Sequence, residues 1–325
     1  MKMKIEALLL ILAALQTLCS PQSLCTDDSI SSSPPRDGSS SLSRWIDIIC
    51  SQDHRVAAVE EQIFPLDMAL NSADDQFDGC KDEMAYKVDN YYLNNEKNGN
   101  PKFKTAWDVA EKAVPPSPEN PRNRTRLIAI YVYTDRIAYA DFNKAVRSGK
   151  PKYENGNFKW YSLYFLLTDA VQILRASQDK CYDTYRGTNV NINDQNVLNT
   201  EVRLGSFVSS SQDRNIAKRF GNKSCFEIRT CKGADIAKYS KLPREKEVLI
   251  PPYEIFEVTK VQKKTDQQDL WCETVFTLES QNKTRSDLNC AVAKKRSWGE
   301  FLKQQRNHRL EEWMLQLGIK QHSAV

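Results

Sequence analysis

Arg-Glu-Lys-Glu-Val-Leu-Ile-Pro-Pro, at residues 244–252, joins two alternating glutamates to a short apolar run that ends at two prolines. The run predicts a buried β-strand that begins near Glu247. Because residues i and i+2 of a strand project from the same face, Glu245 and Glu247 are expected to point into one cleft. Two carboxylates held close together should differ in pKa, with one raised and one ordinary. Such a pair suits chemistry at a sugar carbon, where a cationic transition state needs a nearby negative charge.

Two motifs precede this stretch and complete a candidate site. Tyr185-Arg186-Gly187 places an arginine at the end of a short extended run, and residues 207–211, Phe-Val-Ser-Ser-Ser, close an apolar strand with hydroxyl groups. An arginine on a strand beside the glutamates suits the binding of a phosphate group. Taken singly, each motif also has an ordinary structural interpretation. The glutamate pair fits a solvated strand face, the arginine fits a surface ion pair, and the three serines fit a turn. Their order and spacing favour a shared site.

The predicted secondary structure changes near residue 176, from mainly helices to mainly short strands. Helices are predicted over residues 64–95, 103–114, 139–147 and 159–176, and residues 127–133 fit either a helix or a strand. Short strands separated by turn residues follow, at residues 184–185, 202–208, 225–230, 247–250, 255–261 and 274–278. Helices first and strands afterwards favour an α+β fold over alternating α/β. The sequence contains no internal repeat and no glycine-rich phosphate loop.

Composition excludes several classes of protein. The 325 residues are 27% charged and 40% hydrophobic, which is ordinary for a globular protein. Only three histidines are present, far apart, so a histidine triad or a histidine-rich metal site is not expected, and acid–base chemistry falls to carboxylates. The net charge of +4 is mild, and residues 291–325 account for it with seven basic and three acidic residues. This distribution argues against a nucleic-acid partner.

The N-terminus indicates the secretory pathway. A basic start and an apolar run over residues 7–15 predict a signal peptide over residues 1–23, followed by a flexible leader over residues 24–62. Sequons at Asn123, Asn222 and Asn282 are candidate glycan acceptors. No later stretch is apolar enough to span a membrane, and no lipid-anchor tail is visible. We therefore expect a secreted, extracellular and monomeric protein.

The three motifs resemble the R-S-E-x-E signature of the arginine-specific mono-ADP-ribosyltransferases, in particular the vertebrate ecto-enzymes. The resemblance covers residues 64–290 and is supported by collinear matches along the chain. These matches are at residues 65–69, 74–80, 133–134, 141–143, 166–168, 202–205 and 247–252. It implies an α+β mono-ADP-ribosyltransferase fold, with a helical N-terminal part and a two-sheet β core that holds an NAD cleft. It also implies a catalytic domain over residues 63–291, followed by a basic tail over residues 292–325.

The resemblance also implies roles for individual residues on the NAD side of the site. Arg186 matches the arginine that holds the NAD diphosphate. Ser209 matches the serine that supports the nicotinamide ribose and the catalytic glutamate, and Ser211 completes an S-x-S pattern. Tyr133 and Ser240 fall at positions similar to those lining the NAD site. NAD+ is then a co-substrate, and no metal is implied.

The two glutamates divide the reaction between them in this family. Glu247 matches the catalytic glutamate, which would hydrogen-bond a ribose hydroxyl and stabilise an oxocarbenium ion as nicotinamide leaves. Glu245 matches the residue that holds the target guanidinium and takes its proton late, because the pKa of an arginine is above 12. Family members with glutamine there tend to modify other side chains, so Glu245 implies transfer to arginine side chains of acceptor proteins.

Two other functions fit the same sequence. The site would serve an NAD glycohydrolase equally well, with water as the acceptor, and the sequence does not separate this activity from arginine transfer. A catalytically silent secreted binding protein is the other alternative, although such degenerate members lose the glutamate pair that this chain retains.

Nine cysteines indicate an oxidising compartment. The resemblance suggests the bridges Cys80–Cys290 and Cys181–Cys231. Cys225 and Cys272 lie in predicted strands and are candidates for a third bridge. Cys50 either pairs with Cys25, if cleavage precedes that residue, or stays free. No CxxC pair or Cys–His spacing supports a metal site.

Overall fold

Helices build the N-terminal half of the domain, and a computed structural model describes residues 62–116 and 121–293. The predicted signal peptide, most of the leader and almost all of the tail lie outside these residues, as do Cys19, Cys25 and Cys50. A π-helical turn, Val88–Tyr92, links the first two helices. The helices are α1 (Lys81–Lys87), α2 (Leu93–Gly99), α3 (Pro101–Ala113), α4 (Pro121–Thr134), α5 (Tyr139–Arg147), α6 (Lys150–Glu154) and α7 (Tyr161–Gln178).

Three of the predicted helices are confirmed, and the ambiguous stretch at 127–133 belongs to α4. α7 is the central helix, with its first eleven residues buried. Its first turn lacks a local side-chain cap, and the buried carboxylate of Glu96 accepts hydrogen bonds from the backbone N–H groups of Tyr161 and Ser162 at 2.7 and 3.0 Å. A distant acidic residue thus satisfies donors that every helix N-terminus leaves free.

The helix predicted over residues 64–95 is wrong for its first part. Residues 65–80 form a loop, because aspartate side chains there accept hydrogen bonds from the backbone two residues on, as Asp75 does from Phe77. The loop is fixed by a fully buried ion pair between Asp74 and Arg203, 2.8 Å apart. Arg203 also donates to the carbonyl oxygens of Met68 and Ala69. The matched segments near residues 74 and 203 therefore stabilise the fold together.

Ten strands and one further helix, α8 (Arg214–Ala217), complete the part of the chain that the structure describes. The strands are β1 (Ile63–Phe64), β2 (Tyr182–Arg186), β3 (Asn191–Ile192), β4 (Glu201–Val202), β5 (Val208–Ser211), β6 (Ser224–Thr230), β7 (Ala234–Asp235), β8 (Glu247–Ile250), β9 (Glu254–Lys263) and β10 (Thr274–Thr284). They form two sheets of unequal size. The larger has the order β4-β9-β10-β6-β2-β5-β8-β7, and the smaller pairs β1 with β3.

The α+β class is confirmed, and most predicted strands lie where the sequence places them. The strand predicted over residues 202–208 is interrupted, because only its ends pair, in β4 and β5. Gly205, between them, has a φ of +68°, and Arg203 turns inward to Asp74. The chain thereby crosses from the edge strand β4 to the other half of the sheet, which brings β5 beside β2 and β8.

Three disulfide bonds confirm the two expected bridges and the candidate third. They join Cys80 to Cys290, Cys181 to Cys231 and Cys225 to Cys272, with sequence separations of 210, 50 and 47 residues. The second bridge lies five residues before Arg186 and ties the start of β2 to the end of β6. In the chain-entropy picture, closing loops of this length stabilises the fold by roughly 3–5 kcal/mol per bridge.

Candidate active site

The three motifs meet on three neighbouring strands of the large sheet, β2, β5 and β8. Arg186 ends β2, Ser209 lies in β5 and Glu247 begins β8. Strand pairing sets Tyr185 opposite Ser211 and Ser211 opposite Glu247. Arg186 further links β2 to β5, because its Nη1 donates a hydrogen bond of 2.6 Å to the Ser209 carbonyl oxygen. The sheet therefore brings the predicted arginine, serine and glutamate together.

Glu245 reaches the same cleft by a different route from the one predicted. It lies in a 3-10 turn, Pro243–Glu245, and not on the strand. Lys246 follows with a φ of +48°, a left-handed conformation that separates the turn from β8. The alternation of a strand therefore does not align the two glutamates. Both nevertheless line one cavity of about 520 Å³, together with Arg186 and Ser209.

Glu247 is a buried carboxylate, with only 3% of its surface exposed. Burial raises its pKa from 4.5 to about 7, and the negative charge of Glu245 acts in the same direction. A hydrogen bond from Ser209 and the positive charge of Arg186 oppose the rise. The raised pKa of one glutamate agrees with the sequence expectation. The main cause is desolvation, whereas the expectation rested on the neighbouring carboxylate.

Ser211 holds the backbone of Glu245 in place. Its hydroxyl donates a hydrogen bond of 2.7 Å to the Glu245 carbonyl oxygen. The Ser211 hydroxyl oxygen also accepts a hydrogen bond from the backbone N–H of Asp213 at 3.1 Å, and Asp213 forms an ion pair with Lys246 at 3.1 Å. The second serine of the S-x-S pattern therefore fixes the turn that carries Glu245, while the first serine contacts Glu247.

A buried tyrosine supports Ser209 from the helical half. The Tyr133 hydroxyl lies 3.5 Å from the Ser209 hydroxyl and donates to the Phe207 carbonyl oxygen at 3.0 Å. The Asn143 side chain donates to the same phenol oxygen at 3.2 Å. Tyr133, predicted from the sequence, thus lines the cavity and connects α4 to β5.

Tyr139 is a cavity residue that sequence reasoning missed. Its hydroxyl lies 3.5 Å from Nη2 of Arg186, and its ring meets the Tyr133 ring edge to face at 5.1 Å. Burial acts to raise the pKa of Tyr139, but the nearby guanidinium of Arg186 outweighs it and lowers that pKa. The available signal was the spacing of Tyr139 and Phe142 at the start of α5, which predicts a packed helix and not a ligand site.

Ser240 does not join the other predicted residues. The cavity lining contains Tyr133, Arg186, Ser209, Glu245 and Glu247 but not Ser240, which is 8% exposed. The Ser240 hydroxyl accepts a hydrogen bond from the backbone N–H of Leu242 at 3.0 Å. In this structure Ser240 therefore shapes the segment that leads to Glu245.

Residues 62–116 and 121–293 contain neither a metal-binding cluster nor a membrane-spanning helix. No set of three histidine, cysteine, aspartate or glutamate side chains there is arranged to hold a metal ion. Within the same ranges, no helix combines the length and the apolar character that a membrane span needs.

Comparison with known proteins gives consistent matches. Residues 66–286 match the family model described as NAD:arginine ADP-ribosyltransferase. Ecto-ADP-ribosyltransferase 5 of Rattus norvegicus is 35% identical over 246 residues, which are 70% of this chain and 76% of that protein. GPI-linked NAD(P)(+)--arginine ADP-ribosyltransferase 1 of Mus musculus is 35% identical over 217 residues, 62% of this chain and 66% of that protein.

Solved structures agree with the sequence matches. The crystal structure of the eucaryotic mono-ADP-ribosyltransferase ART2.2 superposes with a TM-score of 0.59 at 33% identity, covering 70% of this chain and 98% of that one. A mutant of ART2.2 in complex with NAD superposes with a TM-score of 0.58 at 32% identity, with the same coverage. The predicted fold is confirmed by this agreement.

Proposed function

The chain belongs to the NAD:arginine ADP-ribosyltransferase family, and we propose that it transfers one ADP-ribose from NAD+ to arginine side chains of acceptor proteins, releasing nicotinamide. One observation carries the proposal. A buried glutamate and a partly exposed glutamate line the same cavity as a half-buried arginine and a serine. The cavity volume suits a small-molecule substrate.

The buried half of the cavity suits NAD. Arg186 supplies a guanidinium for the diphosphate, and Tyr139 beside it adds a hydroxyl. Ser209 orients Glu247, whose ionised carboxylate accepts a hydrogen bond from the ribose and stabilises the positive charge that develops on the sugar. The low exposure of Glu247 strengthens this electrostatic stabilisation, because little water screens it.

The exposed half suits the acceptor. The side chain of Glu245 is 27% exposed, so it can meet an arginine that enters from solvent. Its carboxylate binds the guanidinium and takes one proton as a guanidinium nitrogen bonds to the ribose carbon that nicotinamide leaves. Transfer of the proton after attack begins avoids a free neutral arginine, which the high pKa of the guanidinium makes costly.

The direct experiment uses NAD+ labelled on the adenylate part, with polyarginine and polylysine as parallel acceptors. Label is expected on polyarginine and not on polylysine. Nicotinamide should be released in both cases, with transfer to the polymer in the first and hydrolysis by water in the second. Nicotinamide release without label on either polymer would favour an NAD glycohydrolase. Neither label nor nicotinamide would favour a protein that retains the fold without the activity.

The pH dependence follows from Glu247. If the ionised carboxylate performs the chemistry, kcat/KM for NAD+ should rise about tenfold per pH unit below about pH 7 and level off above it, since kcat/KM reports the free enzyme. Initial rates of nicotinamide release between about pH 5.5 and 8.5 test this. A profile that falls with pH over this range would show that a protonated Glu247 is the active form.

Ser211→Ala is expected to reduce transfer selectively. The variant loses the hydrogen bond to the Glu245 carbonyl oxygen, which is worth about 1 kcal/mol, so transfer to agmatine should fall by about fivefold to tenfold. Hydrolysis of NAD+ should change by less than about twofold, because Glu247 keeps its contact with Ser209. Ser210→Ala is the matched control, since that hydroxyl bonds to the Val248 carbonyl oxygen instead. Equal losses in both reactions would contradict a positioning role for Ser211.

The extracellular side is the proposed location. Three disulfide bonds in the described residues indicate an oxidising compartment. Release into the medium and the monomeric state expected from the sequence remain predictions. Expression in mammalian cells, followed by assay of the medium and of intact cells, tests where the activity resides.

A further inference from the structure

Arg136 lies between two side chains of the cavity that belong to different segments. Its Nη2 is 3.1 Å from Oε1 of Glu245, and its guanidinium carbon is 6.0 Å from the ring centre of Phe220. All three residues line the cavity that holds Glu247. The chain therefore already places a guanidinium on the carboxylate that faces the exposed half of the site.

The backbone around Arg136 is held in an unusual conformation. Arg136 has a φ of +64°, a left-handed value that is uncommon for a residue with a long side chain. The two residues before Arg136 form a hydrogen bond and an ion pair with the segment that precedes Glu245. Thr134 accepts a hydrogen bond from the backbone N–H of Lys241 at 2.9 Å, and Asp135 forms an ion pair with the Lys241 side chain. These contacts fix Arg136 beside Glu245.

This arrangement has a consequence for the acceptor, and it rests on the proposed function. A substrate arginine would present to Glu245 the same chemical group that Arg136 now presents. We propose that Arg136 is a specificity-determining residue, an internal guanidinium that occupies Glu245 until an acceptor arginine displaces it. The residue thus sets the apparent affinity of the site for acceptors and favours those whose arginine competes well.

The expected size of the effect is modest. The Arg136 side chain is 70% exposed, and ion pairs with this much exposure are weak. The closed form, in which Arg136 pairs with Glu245, and the open form, in which it does not, should therefore have similar populations. A closed form favoured by a factor of about 1–5 raises the apparent KM for the acceptor by about 2–6-fold. Such a contact is weak enough for a substrate to displace.

The test compares Arg136→Met, Arg136→Lys and Arg244→Met with the full chain, using agmatine as the acceptor and nicotinamide release without acceptor as a second readout. Arg136→Met should lower the KM for agmatine by about 2–6-fold and leave the KM for NAD+ in the hydrolysis reaction within about twofold. Arg136→Lys keeps a cation for Glu245 and should stay near the wild type. Arg244→Met removes an equal charge one residue before Glu245 and should also leave the KM for agmatine near that of the wild type.

An unchanged KM for agmatine in Arg136→Met would overturn the inference while leaving the proposed function intact. A large rise in the KM for NAD+ would also overturn it, because Arg136 would then belong to the NAD site. An equal fall in the KM for agmatine in Arg244→Met would show a general charge effect instead of displacement. Failure of the wild type to modify agmatine would contradict the proposed function, and this inference with it.

Discussion

Glu247→Gln is expected to reduce both nicotinamide release and transfer to agmatine by at least about 10³-fold. The substitution keeps the size of the side chain and removes the negative charge that stabilises the developing cation. Because departure of nicotinamide precedes the choice of acceptor, hydrolysis and transfer should fall together. Initial rates of both products from labelled NAD+ test this, and a variant that keeps either reaction within tenfold of the wild type would contradict the role of Glu247.

Stability measurements provide the control for this variant. Burial raises the pKa of Glu247 from 4.5 to about 7, so ionising it destabilises the folded state. Below about pH 4.5 the folded and unfolded states both hold the proton, and this contribution vanishes. Between about pH 4.5 and 7 only the folded state keeps the proton, so over this range the wild type should progressively lose up to about 3 kcal/mol of stability that Glu247→Gln retains. The inactive variant should therefore unfold at higher denaturant concentration than the wild type at pH 8.

Glu245→Gln is expected to separate the two reactions. Transfer to agmatine should fall by about 10²–10³-fold, because glutamine neither pairs with the guanidinium as an anion nor takes its proton. Release of nicotinamide to water should persist within about threefold, since Arg186, Ser209 and Glu247 remain in place. The measurement is the rate of each product under saturating NAD+ and agmatine.

Glu245→Asp is the matched control, because it keeps the charge and shortens the side chain. It should retain more transfer than Glu245→Gln while releasing nicotinamide at a similar rate. If Glu245→Gln still modified agmatine at the wild-type rate, the assignment of the acceptor side to Glu245 would be wrong. If both reactions vanished, Glu245 would belong to the NAD half of the site.

Local patterns predict the central strands of this fold well. The run after Glu247 is apolar and bounded by prolines, and it forms a strand with the predicted bounds, Glu247–Ile250. Helices α3, α5 and α7 likewise follow from their apolar periodicity and their breaks. Local signals are enough to predict these segments, because the spacing of their apolar residues indicates whether one face or the whole segment is buried.

Contacts between distant residues explain what the sequence does not predict. The loop over residues 65–80 has helix-like spacing, but its aspartates bond to nearby backbone and Asp74 pairs with Arg203, 129 positions away. Glu96 caps α7 across 65 positions. The left-handed Lys246 changes the route by which Glu245 reaches the cleft. A periodic pattern in the sequence predicts neither a contact with so distant a residue nor the conformation of a single residue.

The candidate site likewise contains residues that the sequence predicts and residues that it does not. Arg186, Ser209, Glu245 and Glu247 come together as expected, because the sheet sets their strands side by side. Tyr139 and Arg136 enter the site from the end of α4 and the start of α5, and their sequence surroundings resemble those of ordinary helical residues. Ser240 lies close in sequence to Glu245 but outside the cavity lining.

The ratio of ADP-ribosyl-agmatine formed to nicotinamide released tests the central claim most directly. In the wild type, with NAD+ and agmatine both saturating, the ratio should approach one, since a guanidinium held at Glu245 captures the sugar before water does. A ratio near zero at undiminished nicotinamide release would contradict arginine transfer and identify the cleft as that of a hydrolase.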